Sequence, residues 1–372
     1  MTGAWGCGPE LQHRGFAHKT SGRHRENGQI LARETARPPC YRGLVLYVDD
    51  KAALAVWRHG PDALVNAVQC CEFAAPHARC PATKRAFDLE LTFLPPLNTT
   101  WHFMVPTAQL RLRRSTYGYT TCTRRMPAHA FVQLNEHVCV AMPELVFLQM
   151  AKRLPLPLLV KLGDELCGTY TMLESDGVPV NRREPLCSRR SIAEFLREAH
   201  ALDGARAAQR AARFLVEGAA SVKEAELEML LCLPTWLGGY GLPAPTMNAR
   251  VDFDAAAMRL ARRAYARCDL CWPEHMLDVE YDGRTWHAGF EGAARDKARL
   301  NALQSMGFHV IAVSSNELHD PAAFESLACD IASALHYRMR SRMPDSADRH
   351  RNLQAALLAS ATHPLFQTCS AT

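Results

Sequence analysis

The stretch Arg267-Cys268-Asp269-Leu270-Cys271-Trp272-Pro273-Glu274-His275-Met276-Leu277-Asp278-Val279-Glu280-Tyr281-Asp282-Gly283 decides the fold of the C-terminal third. It reads as two strands joined by a turn, with Pro273 marking the turn and Gly283 ending the second strand. Leu277, Val279 and Tyr281 alternate with Asp278, Glu280 and Asp282. Successive side chains of a strand point to opposite faces, so the three carboxylates share one face. A hairpin closing around Glu274-His275 sets Asp269 opposite Glu280, with Cβ atoms about 4.5–5.5 Å apart. Asp282 extends the cluster. Like charges at that separation repel, and unless one takes a proton a cation must neutralise them. Oxygen donors of this kind suit Mg²⁺ or Mn²⁺ rather than Zn²⁺. The competing reading is a solvated polar face on an ordinary hairpin.

The flanking sequence bears on that choice. Upstream, Ser221-Val222-Lys223-Glu224 is a capping-box pattern that opens a helix, with Leu227, Leu230 and Leu231 at helical spacing. Glu224 is then either a cap alone or a carboxylate that reaches the metal or its water. Downstream, His287 follows the strand closely. With an ordinary pKa of about 6.5 it suits a general base beside a metal-bound water. Arg295-Asp296-Lys297-Ala298-Arg299 opens the next helix, with Leu300, Leu303 and Met306 facing inward. Asp296 and Arg299 stand at i, i+3 and can pair. Alternatively Arg299 or Lys297 contacts a phosphate, with Arg284 and Arg295 nearby on the same segment. Gly307 stops the helix, Phe308 to Val313 is an apolar strand, and Asp320-Pro321 starts a final helix. The order is helix, hairpin, helix, strand, helix.

That order and those residues resemble the very-short-patch-repair-like branch of the PD-(D/E)XK nucleases. The matching stretches are Ser221 to Leu231, Asp269-Leu270, Glu280-Tyr281-Asp282-Gly283, His287 and Asp296 to Arg299. A longer resemblance, to actinobacterial proteins with such a domain at the C-terminus, rests on Pro143-Glu144-Leu145-Val146-Phe147-Leu148-Gln149-Met150-Ala151, Leu166-Cys167-Gly168-Thr169-Tyr170 and Gly238-Gly239-Tyr240-Gly241-Leu242-Pro243. Their N-terminal half is similar to regions of abortive-infection AbiEi-type proteins. The resemblance implies a restriction-endonuclease-like α/β sandwich, a divalent metal and hydrolysis of DNA phosphodiesters, in defence or repair. Three departures stand out. Asp282 occupies a place where the superfamily often has Lys, so water activation by lysine is not available. Ala312 stands where relatives carry Arg in the last strand. Ser221 is not followed by Pro.

The expected mechanism assigns Asp269 and Glu280 to Mg²⁺ or Mn²⁺, with Glu224 beside them. His287, with Asp282, removes the proton from the metal-bound water, and Arg299 or Lys297 steadies the phosphate. One rival is a DNA-binding regulator or antitoxin-like protein whose nuclease fold is inactive. Another is a subunit of a toxin–antitoxin or phage-defence system that acts with a partner protein. Double-stranded DNA is the expected ligand, and a homodimer is compatible with the sequence.

The chain has 372 residues, 48% hydrophobic and 22% charged. This is ordinary for a globular protein and leaves little room for collagen, coiled coil or wholesale disorder. No apolar run approaches the roughly 18 residues of a membrane helix, and no apolar segment follows the N-terminal basic residues. A cytoplasmic protein is expected, with most of its 14 cysteines reduced. The net charge of +5 permits nucleic-acid binding without demanding it. The expected fold class is mixed α/β. Residues 1–40 read as a basic, disordered arm and 41–185 as a mixed α/β domain. Residues 186–220 are connecting helices, 221–342 the nuclease-like domain and 343–372 a tail with a weak helix.

Other motifs carry less. Cys268-x-x-Cys271 has zinc-like spacing, but in a regular strand a separation of three sends the two thiols to opposite faces. Cys70, Cys71 and Cys80 lack a matching pair. Gly238-Gly239-Tyr240-Gly241 is not a phosphate loop, because Pro243 and Pro245 follow where a helix would begin. Trp272 and Trp286 read as packing. Arg111, Arg113, Arg114, Arg124 and Arg125 read as a solvated basic edge or a DNA-facing surface.

Overall fold

The computed structural model describes residues 45–59, 69–71, 73, 100–111, 117–172, 174–175, 178–179, 183–282, 290–339 and 344–359. The basic arm, Cys80, Arg113, Arg114, Arg284, Trp286 and His287 lie outside them. The fold is mixed α/β, as expected. No helix among the described residues is long and apolar enough to cross a membrane.

The N-terminal part is built on a six-stranded mixed sheet. Its members are β1 (Leu46–Val48), β2 (Gln69–Cys71), β3 (His102–Val105), β4 (Gly118–Thr121), β5 (Phe131–Gln133) and β6 (Val138–Ala141). They run in the order β2-β5-β6-β1-β3-β4, with β1 parallel to β6 and antiparallel to β3. The apolar, β-branched run at β1 is buried on every residue, as a central strand covered on both faces must be. The first helix, α1 (Asp50–His59), follows β1 directly. Next come α2 (Pro143–Met150) and α3 (Leu156–Cys167), each started by a proline in its first turn. A two-stranded ribbon, β7 (Glu174–Ser175) with β8 (Val178–Pro179), precedes α4 (Arg189–Glu198) and α5 (Ala205–Ala211). Of the stretch 186–220, read as connecting helices, α5 thus takes seven residues.

The C-terminal part begins with α6 (Val222–Cys232), whose Ser221 cap accepts a hydrogen bond from the Glu224 amide. A four-stranded sheet follows in the order β12-β11-β10-β9. Its strands are β9 (Thr246–Asp252), β10 (Tyr265–Trp272), β11 (Leu277–Asp282) and β12 (His309–Ser314), with α7 (Ala255–Ala261) between β9 and β10. Between β11 and β12 runs α8 (Phe290–Ser305), giving a parallel β11/β12 pair. Then come α9 (Ser315–His319), α10 (Pro321–Ala334) and α11 (Ser346–Leu358). Strand β9 and helix α7 do not emerge from the sequence reading. β9 is an edge strand with little burial, so its alternation is muted.

One apolar cluster runs from the N-terminal sheet through α2, α3 and α6 to the inner face of the second sheet and α10. A smaller cluster fills the other face of the second sheet, under α7 and α8. The stretch read as a tail contains α11, which is docked: His350, Leu353, Gln354 and Leu357 are buried. Its C-terminal turn is tied down where Lys161 Nζ donates to the Leu357 carbonyl at 3.0 Å.

Candidate metal centre

The hairpin forms in the expected register. Leu270, Cys271 and Trp272 pair with Val279, Asp278 and Leu277, so the next step of the same ladder sets Asp269 across from Glu280. Asp269 Oδ2 accepts a hydrogen bond from the Tyr281 amide at 3.1 Å. Glu224 reaches this end of the sheet from the first turn of α6. Its amide is capped by Ser221 Oγ at 3.1 Å, while its Oε2 accepts from Ala220 N at 2.9 Å and from Asn248 Nδ2 at 2.6 Å. Glu224 therefore serves the helix start and the acidic cluster at once.

Burial raises the Asp269 carboxyl to about 7, and the charges of Glu224 and then Glu280 add to the effect; the Tyr281 amide and Arg299 pull the other way. Asp278 is more isolated. It has no exposed surface, and neither of its oxygens meets a hydrogen-bond donor. Burial, with Glu280 and Asp269 as negative neighbours, pushes it up to about 9. A buried polar group without a partner is rare in folded proteins and calls for an explanation.

Glu280 has a partner that sequence reasoning did not assign. Arg299, from α8, donates through both terminal nitrogens to both Glu280 oxygens. The same guanidinium donates to the Arg267 carbonyl at 3.1 Å. In the absence of a ligand it neither pairs with Asp296 nor stands free for phosphate. Asp282 ends β11, beside Ser314 of β12, and is exposed. Lys297 and Arg295 are exposed on α8. The sequence-predicted Glu224, Asp269 and Glu280 are near enough to feel one another's charge at Asp269. Among the described residues, however, the group whose ligand atoms lie within 4.8 Å of one another is Cys268, Asp278 and Glu280. Asp282 ends the same strand, and His287 and Arg284 lie outside the described residues.

The two cysteines do not follow the regular-strand expectation. Cys268 joins Cys271 in the cluster under α8, whereas Leu270 and Trp272 face the main core. The chain switches face at Asp269. Opposite that point, between the Cys268–Ala249 and Leu270–Met247 pairs, Asn248 adopts a left-handed conformation with φ 47°. Cys268 and Cys271 therefore lie on the same side of the sheet, next to this left-handed residue of β9. Asp278, opposite Cys271, faces them.

A basic surface adjoins the acidic end. Arg250, Arg259, Arg262, Arg263 and Arg267 are exposed along β9, α7 and the start of β10. The Arg250 guanidinium lies over the Tyr265 ring at 4.1 Å. Two cavities among the described residues lie elsewhere, one of about 170 Å³ beside Tyr240 and His350 and one of about 120 Å³ beside Thr120 and Gln149. The acidic cluster lines neither of them.

Comparison with known proteins adds a distant likeness. The chain is 28% identical over 131 residues to the uncharacterised protein MT2308 of Mycobacterium tuberculosis strain CDC 1551 / Oshkosh. It has the same identity over the same length to the uncharacterised protein Rv2248 of strain ATCC 25618 / H37Rv. Each match covers 35% of this chain and 44% of the relative, so the chain matches less than half the length of either. No family model matches, and no solved structure matches significantly.

Proposed function

We propose that the protein is a metal-dependent endonuclease that hydrolyses DNA phosphodiester bonds. The observation that carries the reading is the set of acids Glu224, Asp269, Asp278 and Glu280 acting on one another at one end of the second sheet, next to an arginine-rich face. One arginine balances one of these four acids. The remainder is uncompensated, as the carboxyl raised to about 7 at Asp269 and the unpartnered oxygens of Asp278 attest. An oxygen-donor set of this kind fits Mg²⁺ or Mn²⁺. Asp269 and Glu280 would hold the ion, with Glu224 beside it. Such an ion, when bound, polarises a phosphodiester and makes a bound water acidic near neutral pH.

The chain's own groups do the rest. Asp269 gives up its proton when a cation arrives. Arg299, already protonated and aimed at the cluster, swings from Glu280 to the substrate phosphate, where bidentate contact suits its planar fork. His287, with Asp282 at the end of β11, takes the proton from the attacking water. Arg250, Arg259, Arg262, Arg263 and Lys297 track the phosphate backbone.

A second reading is favoured by one observation. Arg299 already covers both Glu280 oxygens, and Asp282 stands where a catalytic lysine would. If that clasp is permanent, the protein binds DNA without cutting it. Incubation of supercoiled plasmid with purified protein and Mg²⁺ or Mn²⁺ separates the two. Cleavage that disappears in chelator and in Glu280→Ala supports the endonuclease. Salt-dependent binding without metal-dependent nicking supports the regulator. Equal cleavage by both proteins contradicts the assignment of the centre.

A further inference from the structure

We propose that Cys268, Cys271, Asp278 and Glu280 form a second metal site, one that takes zinc or another borderline-soft divalent ion. Donor atoms of Cys268, Asp278 and Glu280 all lie within 4.8 Å of one another, the spacing of ligands around a single ion. Cys271 pairs directly with Asp278 across the ladder and lies in the same apolar cluster as Cys268. Cys268, Cys271 and Asp278 are fully buried. The surrounding wall is apolar, with Ala302, Leu303 and Phe308 against the thiols. Such a pocket gives Asp278 no reason to be polar unless something positive sits with it, and both of its oxygens lack a donor.

The donor chemistry selects the ion. Sulfur ligands disfavour Mg²⁺ and Mn²⁺, while two thiolates with two carboxylate oxygens make a four-donor set that Zn²⁺ accepts tetrahedrally. Binding displaces the protons of both thiols and of Asp278 into solvent, so affinity rises with pH. Glu280 turns one oxygen to the ion and keeps the other on Arg299, which becomes the partner that orients it. The change of face at Asp269 gains a purpose, since it leaves both thiols on one side. The site shares Glu280 with the centre proposed for DNA cleavage but does not depend on cleavage: that reading rests further on Asp269 and Glu224, this one on the thiols.

Cobalt provides the test. Full-length reduced protein, stripped by chelator, is titrated with Co²⁺ in the presence of excess Mg²⁺. The expected result is one equivalent bound, with a thiolate-to-cobalt charge-transfer band and the visible bands of a tetrahedral ion, all erased by one equivalent of Zn²⁺. The charge-transfer band should be lost in Cys268→Ser and Cys271→Ser, weakened at least tenfold in affinity in Asp278→Asn, and unchanged in Asp269→Asn. Melting curves in chelator, matching the wild type, show that the serine variants fold. If either does not, X-ray absorption of the wild-type zinc complex decides: two sulfur neighbours support the site and fewer than two overturn it. Absence of the band in wild-type protein, or its persistence in Cys268→Ser, also overturns it. None of these readouts involves DNA, so a nuclease assay that fails leaves them untouched.

Discussion

Each half of the molecule buries an aspartate in a central strand or immediately after it, and the two are treated in opposite ways. Asp49 follows β1 and is wholly buried. Its Oδ1 is 2.6 Å from His102 Nδ1, and its Oδ2 accepts from Gln149 Nε2 at 2.8 Å. Even Gly118 serves this arrangement, since a Cβ there would fall 2.1 Å from His102 Cδ2. Asp278 in β11 is equally buried, with the Cys268 thiol and Glu280 as polar neighbours, but neither of its oxygens has a partner at hydrogen-bond geometry. Burial raises both carboxyls, yet only one is supplied with partners. A satisfied buried acid stabilises a fold, whereas one with both oxygens unpartnered costs free energy that a bound cation would offset.

The largest expected effect is therefore on the N-terminal side. Asp49→Ala strips the partners from His102 and Gln149 at once and should destabilise by about 3 kcal/mol, read from denaturant unfolding. The corresponding change at Asp278 has the opposite sign. In chelator at pH 8, Asp278→Asn removes a carboxyl that burial disfavours and should stabilise by about 1 kcal/mol. A loss similar to that of Asp49→Ala would break the comparison.

The pH dependence sharpens it. Asp269 and Asp278 hold protons more tightly in the folded chain than the ordinary carboxylate value of about 4. Their contribution is complete below that value and is lost as pH rises through about 7 for Asp269 and about 9 for Asp278. Melting temperature in chelator should accordingly fall from pH 5 to pH 9, and saturating Mg²⁺ or Zn²⁺ should flatten the fall. A flat profile without metal would contradict the raised carboxyls. The smallest effect is at the surface. Lys297→Ala should weaken duplex binding alike for all sequences and reduce the dependence of log affinity on log salt by about one, measured by fluorescence anisotropy.

Much of this centre is legible in the sequence. Period-two alternation fixes the shared face of Asp278, Glu280 and Asp282, and the Pro273 turn fixes the Asp269–Glu280 register, because both are local. Helices α6, α8 and α10 follow from apolar spacing and from caps such as Ser221 and Asp320, although α8 begins at Phe290, five residues before the expected opening at Arg295. What escapes is non-local. The Arg299–Glu280 clasp depends on how α8 lies across the sheet. The placing of Cys268 on the side of Cys271 goes with a left-handed asparagine in a neighbouring strand, and nothing in Cys-x-x-Cys spacing signals it. The depth of Asp278 depends on α8 and its apolar side chains. In the N-terminal half, the Asp49 network joins residues about 50 and 100 positions apart, beyond the reach of any periodicity.

The most direct test of the account is a titration of the metal-free protein with Mn²⁺ at pH 8, followed by the paramagnetic signal of the free ion, with zinc first bound to occupy the thiols. The account predicts one saturable Mn²⁺ site whose affinity falls at least tenfold in Asp269→Asn. No saturable binding, or binding of equal strength in that variant, would contradict the claim that the acidic end of the second sheet is a metal centre.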